Sequence, residues 1–149
     1  MMNKNFEAEY TEYKRLEGLF EAAKKWKDKA AADAAREQYR ILEEYLLTKG
    51  EAYFRTFELY KEAKERGNAY IDLNDCIWDE RVPSLVENLR SLGIERFTFS
   101  STWSGAVRTA WLFKENGCEL EGLVEINGHW DKFLSKEREK VPAYLFKVN

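Results

Sequence analysis

The sequence is short of most of the residues that announce a specialised chemistry. Its 149 residues hold two cysteines, two prolines, one histidine and eight glycines. Cys76 and Cys118 are too few for a disulfide framework. They have no Cys-x-x-Cys partner and no neighbouring histidine, which excludes the usual zinc and dithiol patterns and predicts reduced thiols in a cytoplasm. No apolar run approaches the roughly 18 residues of a membrane span, and the opening MMNKNFEAEY lacks the apolar centre of a signal peptide. Neither G-x-G-x-x-G nor G-x-x-x-x-G-K-[ST] occurs, so the common dinucleotide and phosphate-loop signatures are missing. The net charge is only −3, from 24 basic and 27 acidic residues. No broad basic field exists, so direct binding of nucleic acid is not expected.

What is present is a folded composition: 44% hydrophobic, 34% charged and 15% aromatic. It changes character at Gly67-Asn68. Residues 1–68 carry 14 basic and 14 acidic side chains, three glycines and no proline. High, balanced charge without breakers is the mark of solvated helices. Residues 69–149 hold both prolines, most of the glycine, the β-forming runs and the whole negative surplus. We therefore expect a helical extension over 1–68 and a small α/β domain over 69–149, together one compact unit.

In the first part, Phe6, Tyr10, Tyr13, Leu16, Phe20, Ala23 and Trp26 recur at helical spacing. Asn5 is placed to cap that helix and Lys27–Asp33 to turn the chain, although one longer helix also fits. A second stripe runs from Ala35 through Leu42 to Leu46 and ends at Lys49-Gly50; a third segment, Glu51 to Arg66, stops at Gly67. Eleven of the 22 aromatic residues lie here. They either pack helix on helix or dock a partner, and a helical hairpin of two or three helices has faces to spare for a protein partner or a homodimer.

In the second part, 69–73, 96–100, 119–126 and 143–148 read as strands, with helices between the first three. Asp79 is expected to cap the first helix, with Pro83 in its first turn; the next starts at about Ser104. This predicts a βαβαβ-β sandwich, α/β or, in the alternative, α+β. Its mixed sheet would have two or three parallel strands and a fourth, antiparallel at an edge after a connection from Asn127 to Pro142.

If the first three strands are parallel, their following loops share one rim. That rim would gather Asp72, Asp75, Trp78, Asp79 and Glu80, then Ser100, Ser101, Thr102, Trp103 and Ser104, then the lone His129. Ser100–Ser104 either cap the next helix or hold an anion with the same groups. Asp72, Asp75 and Asp79 either form a cap, a turn and a solvated edge or meet a hard cation such as Mg²⁺. The triad Asp75, Ser101 and His129 lacks the G-x-S-x-G context of an elbow nucleophile. An aspartate after one strand and a Ser/Thr after the next resemble phosphatases of the haloacid dehalogenase type, but the Asp-x-Asp spacing is missing and no activity carries over. No catalytic residue, metal or cofactor is assigned.

The stretch from Tyr70 to Val148, most recognisably FTFSSTWSGAVRTAWLF, resembles a family of small proteins without an established activity, found in Firmicute genomes, phages and integrated mobile elements. The resemblance implies a context rather than a mechanism. The leading expectation is a non-enzymatic protein-interaction module, an inhibitor or regulator of host nucleic-acid or defence machinery in the manner of anti-CRISPR proteins. Its acidic rim (Asp72, Asp75, Asp79, Glu80) would imitate phosphates. The alternative is a small phosphate- or nucleotide-binding enzyme that uses Ser100–Ser104 with Asp72 or Asp75.

Overall fold

The computed structural model describes residues 6–74, 78–131 and 137–149, with the backbone alone at 129–131. Helices α1 (Glu7–Lys25), α2 (Lys29–Thr48) and α3 (Glu51–Arg66) come first. They are followed by β1 (Asp72–Leu73), a 3-10 turn (Asp79–Arg81), α4 (Val82–Ser91), β2 (Arg96–Phe99), α5 (Ala106–Glu115), β3 (Cys118–Asp131) and β4 (Arg138–Val148). The chain is thus α/β: N-terminal helices, then a mixed four-stranded sheet with interleaved helices. Two compact units meet inside α3, one ending at Phe57 and the other running from Glu58 to Asn149. The composition break at Gly67-Asn68 lies later, at the end of the same helix.

In the helical unit, α1 and α2 are separate helices. Lys27 takes a left-handed φ of 54°, and the Asp28 side chain caps α2 by accepting from the Ala31 N–H at 3.0 Å. The turn is tighter than the Lys27–Asp33 span read from the sequence, because Asp28 supplies the cap that no glycine or proline provides. The Asn5 cap lies outside the described residues. Leu16 and Ala23 of α1 and Ala35 and Leu46 of α2 are buried. Across the pair, the Tyr13 and Tyr39 rings lie 5.9 Å apart and the Arg36 guanidinium sits 5.1 Å over Phe20. Phe6 is fully buried against the Tyr53 and Phe57 rings. The Tyr53 hydroxyl donates to Glu9 Oε1 at 3.0 Å. Burial, reinforced by the Glu9 carboxylate, pushes the Tyr53 phenol up to about 12.

In the α/β unit the strand order is β1-β2-β4-β3. β1 and β2 are parallel, with Asp72 opposite Thr98; β4 is antiparallel to both β2 and β3. The antiparallel edge strand is therefore the third strand, and the fourth is interior. β3 also runs on to Asp131 and β4 begins at Arg138, so the expected connection from Asn127 to Pro142 is mostly hairpin. Its outer part has no β2 beside it, since β2 ends opposite Tyr144. With no core face there, the sequence does not alternate, and it reads as a loop.

The two faces of β2 have different neighbours. Phe97 and Phe99 face α5, where Phe113 sits 5.0 and 5.3 Å from their ring centres and 5.4 Å from Phe146. Thr98 faces the other way, toward the end of α3, through Asp72 and Arg66.

Phe113→Ala is expected to cost about 3–5 kcal/mol in chemical denaturation, whereas Trp111→Ala, on the exposed side of the same helix, stays within about 0.5 kcal/mol. Tyr53 gives a second, pH-dependent check. Folding keeps its phenol protonated above the ordinary value of 10.0, so its contribution to stability is complete below that pH and is lost as the pH climbs to about 12. Ultraviolet titration of the folded protein should show a late tyrosine that is absent in Tyr53→Phe and titrates earlier in Glu9→Gln.

Candidate functional site

The carboxyl ends of β1 and β2 bring several of the sequence-predicted residues together, and Asp72 is the one that is buried. Asp72 is 2% exposed. Its Oδ1 accepts from Thr98 Oγ1 at 2.7 Å and its Oδ2 from Ser100 Oγ at 2.6 Å. Arg66, also buried, places Nη1 at 3.6 Å from Oδ2 and donates Nη2 to Glu62 at 2.9 Å. A buried carboxylate must be paired and hydrogen-bonded, and both oxygens of this one are. Asp72 therefore does not contribute to an exposed acidic rim.

Asp79 opens the 3-10 turn rather than capping α4, whose N-cap is Arg81 without a side-chain bond. Its Oδ1 accepts from Thr109 Oγ1 at 2.7 Å and its Oδ2 lies 3.3 Å from Arg108 Nε. The carboxylate straps the turn to α5 instead of serving its own helix, because a hydroxyl and a guanidinium together outcompete the free amides of one turn. Glu80 is exposed. Asp75 and Cys76 lie outside the described residues.

The hydroxyl cluster does not cap α5. That helix starts at Ala106, after an N-cap at Gly105 that makes no side-chain bond. Ser100 is spent on Asp72, and Ser101 Oγ accepts from the Trp103 N–H at 3.2 Å in a local turn. Thr102 and Ser104 are exposed. The Trp103 indole lies over the start of α5, so close that a methyl at Gly105 would sit 3.4 Å from it.

His129 belongs to β3 rather than to a turn. Its side chain, like Asp75, lies outside the described residues, so the written triad of Asp75, Ser101 and His129 is not assembled by any described contact. Among the described residues, no group of three His, Cys, Asp or Glu side chains is placed to hold a metal ion. Cys118 is a free, buried thiol, and burial pushes its pKa up, away from nucleophilic use.

Beside the exposed Glu80, Thr102 and Ser104, the large apolar side chains open to solvent here are Trp103, just ahead of α5, and Val107 and Trp111 on it. They are spaced by four residues and are 56%, 73% and 54% exposed; Trp78, next to Asp79, is exposed as well. The opposite side of the helix, Thr109 and Phe113, is fully buried. Sequence reading picked out Trp78 and Trp103 and missed Val107 and Trp111 as a surface, although their spacing of four is visible in the sequence. It also missed the pairings of Arg66 and Thr98 with Asp72 and of Thr109 and Arg108 with Asp79.

No helix among the described residues is long and apolar enough to cross a membrane. Residues 55–148 match the model of a family described as a domain of unknown function, DUF7698, and the chain belongs to that family. No curated protein and no solved structure matches the chain. The family's region begins within α3 and takes in the helix end that carries Arg66.

Asp72→Ala is expected to destabilise the protein by about 3–5 kcal/mol, since it strands a buried guanidinium and two hydroxyls. Ser100→Ala, which removes one bond to a charged group, should cost about 1.5–3 kcal/mol. Urea denaturation of both variants checks the order.

Proposed function

We propose that this DUF7698 protein is a non-enzymatic protein-binding module, encoded by a mobile element or phage and acting as an inhibitor or regulator of a host protein. The observation that carries the reading is the exposed set of Trp103, just ahead of α5, with Val107 and Trp111 on the solvent side of that helix. Large aromatic side chains left more than half exposed in a row are costly to keep in water and are the residues that anchor protein interfaces. Val107 and Trp111 also stand on a helix whose other side is locked by Phe113, so that part of the surface is presented without reordering.

The inhibitor role and the mobile-element context rest on the resemblance carried by FTFSSTWSGAVRTAWLF, which includes all three residues. What weighs against a phosphate-binding enzyme is the mutual commitment of Asp72 and Ser100. Of the two groups that would meet a substrate, Asp72 is buried and Ser100 half-buried, and they are bonded to each other. Asp79 is likewise engaged by Arg108, which weakens the phosphate-imitating version of the binding role and favours an apolar contact.

The test is a comparison of proteins captured from the native host by the wild type and by Trp111→Ala and Trp103→Ala. A partner held by the wild type and lost from both variants, at unchanged melting temperature, supports the reading. A partner held equally by all three sinks the α5 surface. A melting-temperature rise with nucleotides or sugar phosphates in the presence of Mg²⁺ would instead favour an enzyme.

A further inference from the structure

β3 is an outer strand of the sheet, bonded to β4 on one side only. The direction of its free backbone groups is fixed by Asn68. That side chain accepts from the Asn127 N–H at 2.9 Å and donates Nδ2 to the Asn127 carbonyl at 3.0 Å. Both polar groups of Asn127 therefore point away from β4. Backbone direction alternates along a strand, so the N–H and C=O of Glu125 and Leu123 point outward too. The ladder agrees: Glu125 stands opposite Pro142, which has no N–H to give. Asn68 closes one end of this edge, and among the described residues nothing bonds Leu123 or Glu125 on the outer side.

Natural edge strands are protected by charge, proline or bulges. This one has a bulge at Glu121, between Leu120 and Gly122, and still exposes Leu120 and Leu123, the latter to 68%. Their register with Phe146 and Tyr144 puts both leucines on the face that α5 covers. Between Cys118 and Asn127 the only charged residues are Glu119, Glu121 and Glu125; Glu121 is engaged by Arg96 at 2.6 Å, which leaves Glu119 and Glu125 for a partner. A second copy of β3 is a poor occupant. Paired about a twofold at Gly122, Glu119 meets Glu125; at Glu121 it meets its own copy; at Leu120, Glu119 meets Glu121. Like charges set directly opposite each other destabilise a ladder.

We propose that the open edge of β3 accepts an extended strand from a partner protein, one that carries Lys or Arg between apolar residues. Main-chain bonds to Leu123 and Glu125 supply the register, Leu120 and Leu123 receive the apolar side chains, and Glu119 and Glu125 select the cations. The proposal rests on the protein-binding reading and assigns it a surface other than the α5 tryptophans.

The test titrates the full chain with a short peptide of alternating valine and lysine. Its controls are a valine–glutamate counterpart and a valine–lysine peptide methylated on alternate backbone nitrogens. The cationic peptide should bind and both controls should not. Leu123→Pro removes an outward N–H without touching a bond to β4, and should weaken binding about tenfold or more at unchanged fold. Glu119→Lys should weaken it about fivefold. Equal binding of the methylated peptide, or no binding of the cationic one, overturns the proposal. So does a wild-type dimer that Leu123→Pro converts to monomer. If Leu123→Pro does not fold, the methylated peptide interrogates the same bonds from the other side. Failure here with Trp111-dependent capture intact removes the edge and leaves the protein-binding reading standing.

Discussion

The carboxylate of Asp72 is the group on which the α/β unit turns. β1 is only two residues long and pairs with β2 at Asp72 and Leu73, so its ladder alone holds it weakly. Asp72 adds bonds to Thr98 and Ser100 of the neighbouring segment and an ion pair to Arg66 at the end of α3. A charge in an apolar interior is tolerable only with its full set of partners, so these residues must arrive together. Arg66 makes the last turn of α3 part of the sheet's polar interior. The amide pairing of Asn68 with Asn127, and the bond from Asn127 Nδ2 to the Arg66 carbonyl at 2.7 Å, fasten the same helix end to β3. This accounts for a family region that begins within α3 rather than at the composition break.

The same bonds decide what the rim has left to offer. Carboxylates and hydroxyls that would make a reactive or anion-binding site are consumed in holding the strands and α5 in place: Asp72 by Thr98 and Ser100, Asp79 by Thr109 and Arg108. Surface chemistry on this side passes to side chains with no internal role, the tryptophans and Val107. A buried carboxylate beside exposed tryptophans inverts the usual expectation for a strand-end rim. The inversion follows from how few residues β1 has with which to secure itself.

Much of the fold is visible in the residues. Gly50 and Gly67 take positive φ where the sequence places the ends of the second and third helices, and Gly93 and Gly117 do the same just past α4 and α5, because only glycine enters that region without strain. Stripes such as Phe6, Leu16 and Ala23, or Val82, Val86 and Leu89, are buried as their spacing demands. Less visible was the hairpin of β3 and β4. Its outer half rises past the end of β2, where no core selects apolar residues on alternate positions, so Asn127–Asp131 and Arg138–Val141 carry no period-two signal. Strand order was hidden for a related reason: pairing β4 between β2 and β3 depends on Phe146 meeting Phe97 and Phe113 in space, and no local pattern encodes which apolar strand meets which.

Local physics therefore determined the helices, their stops, most strand positions and the α/β class, since backbone preference and periodic burial act within a few residues of each other along the chain. Tertiary structure decided which acidic residues are buried, which hydroxyls are spent, which strand lies at the edge and which aromatic residues stay in water. Each of those outcomes depends on a partner tens of residues away. Thr98 for Asp72, Thr109 for Asp79 and Asn68 for Asn127 are pairs that only folding brings within a hydrogen bond.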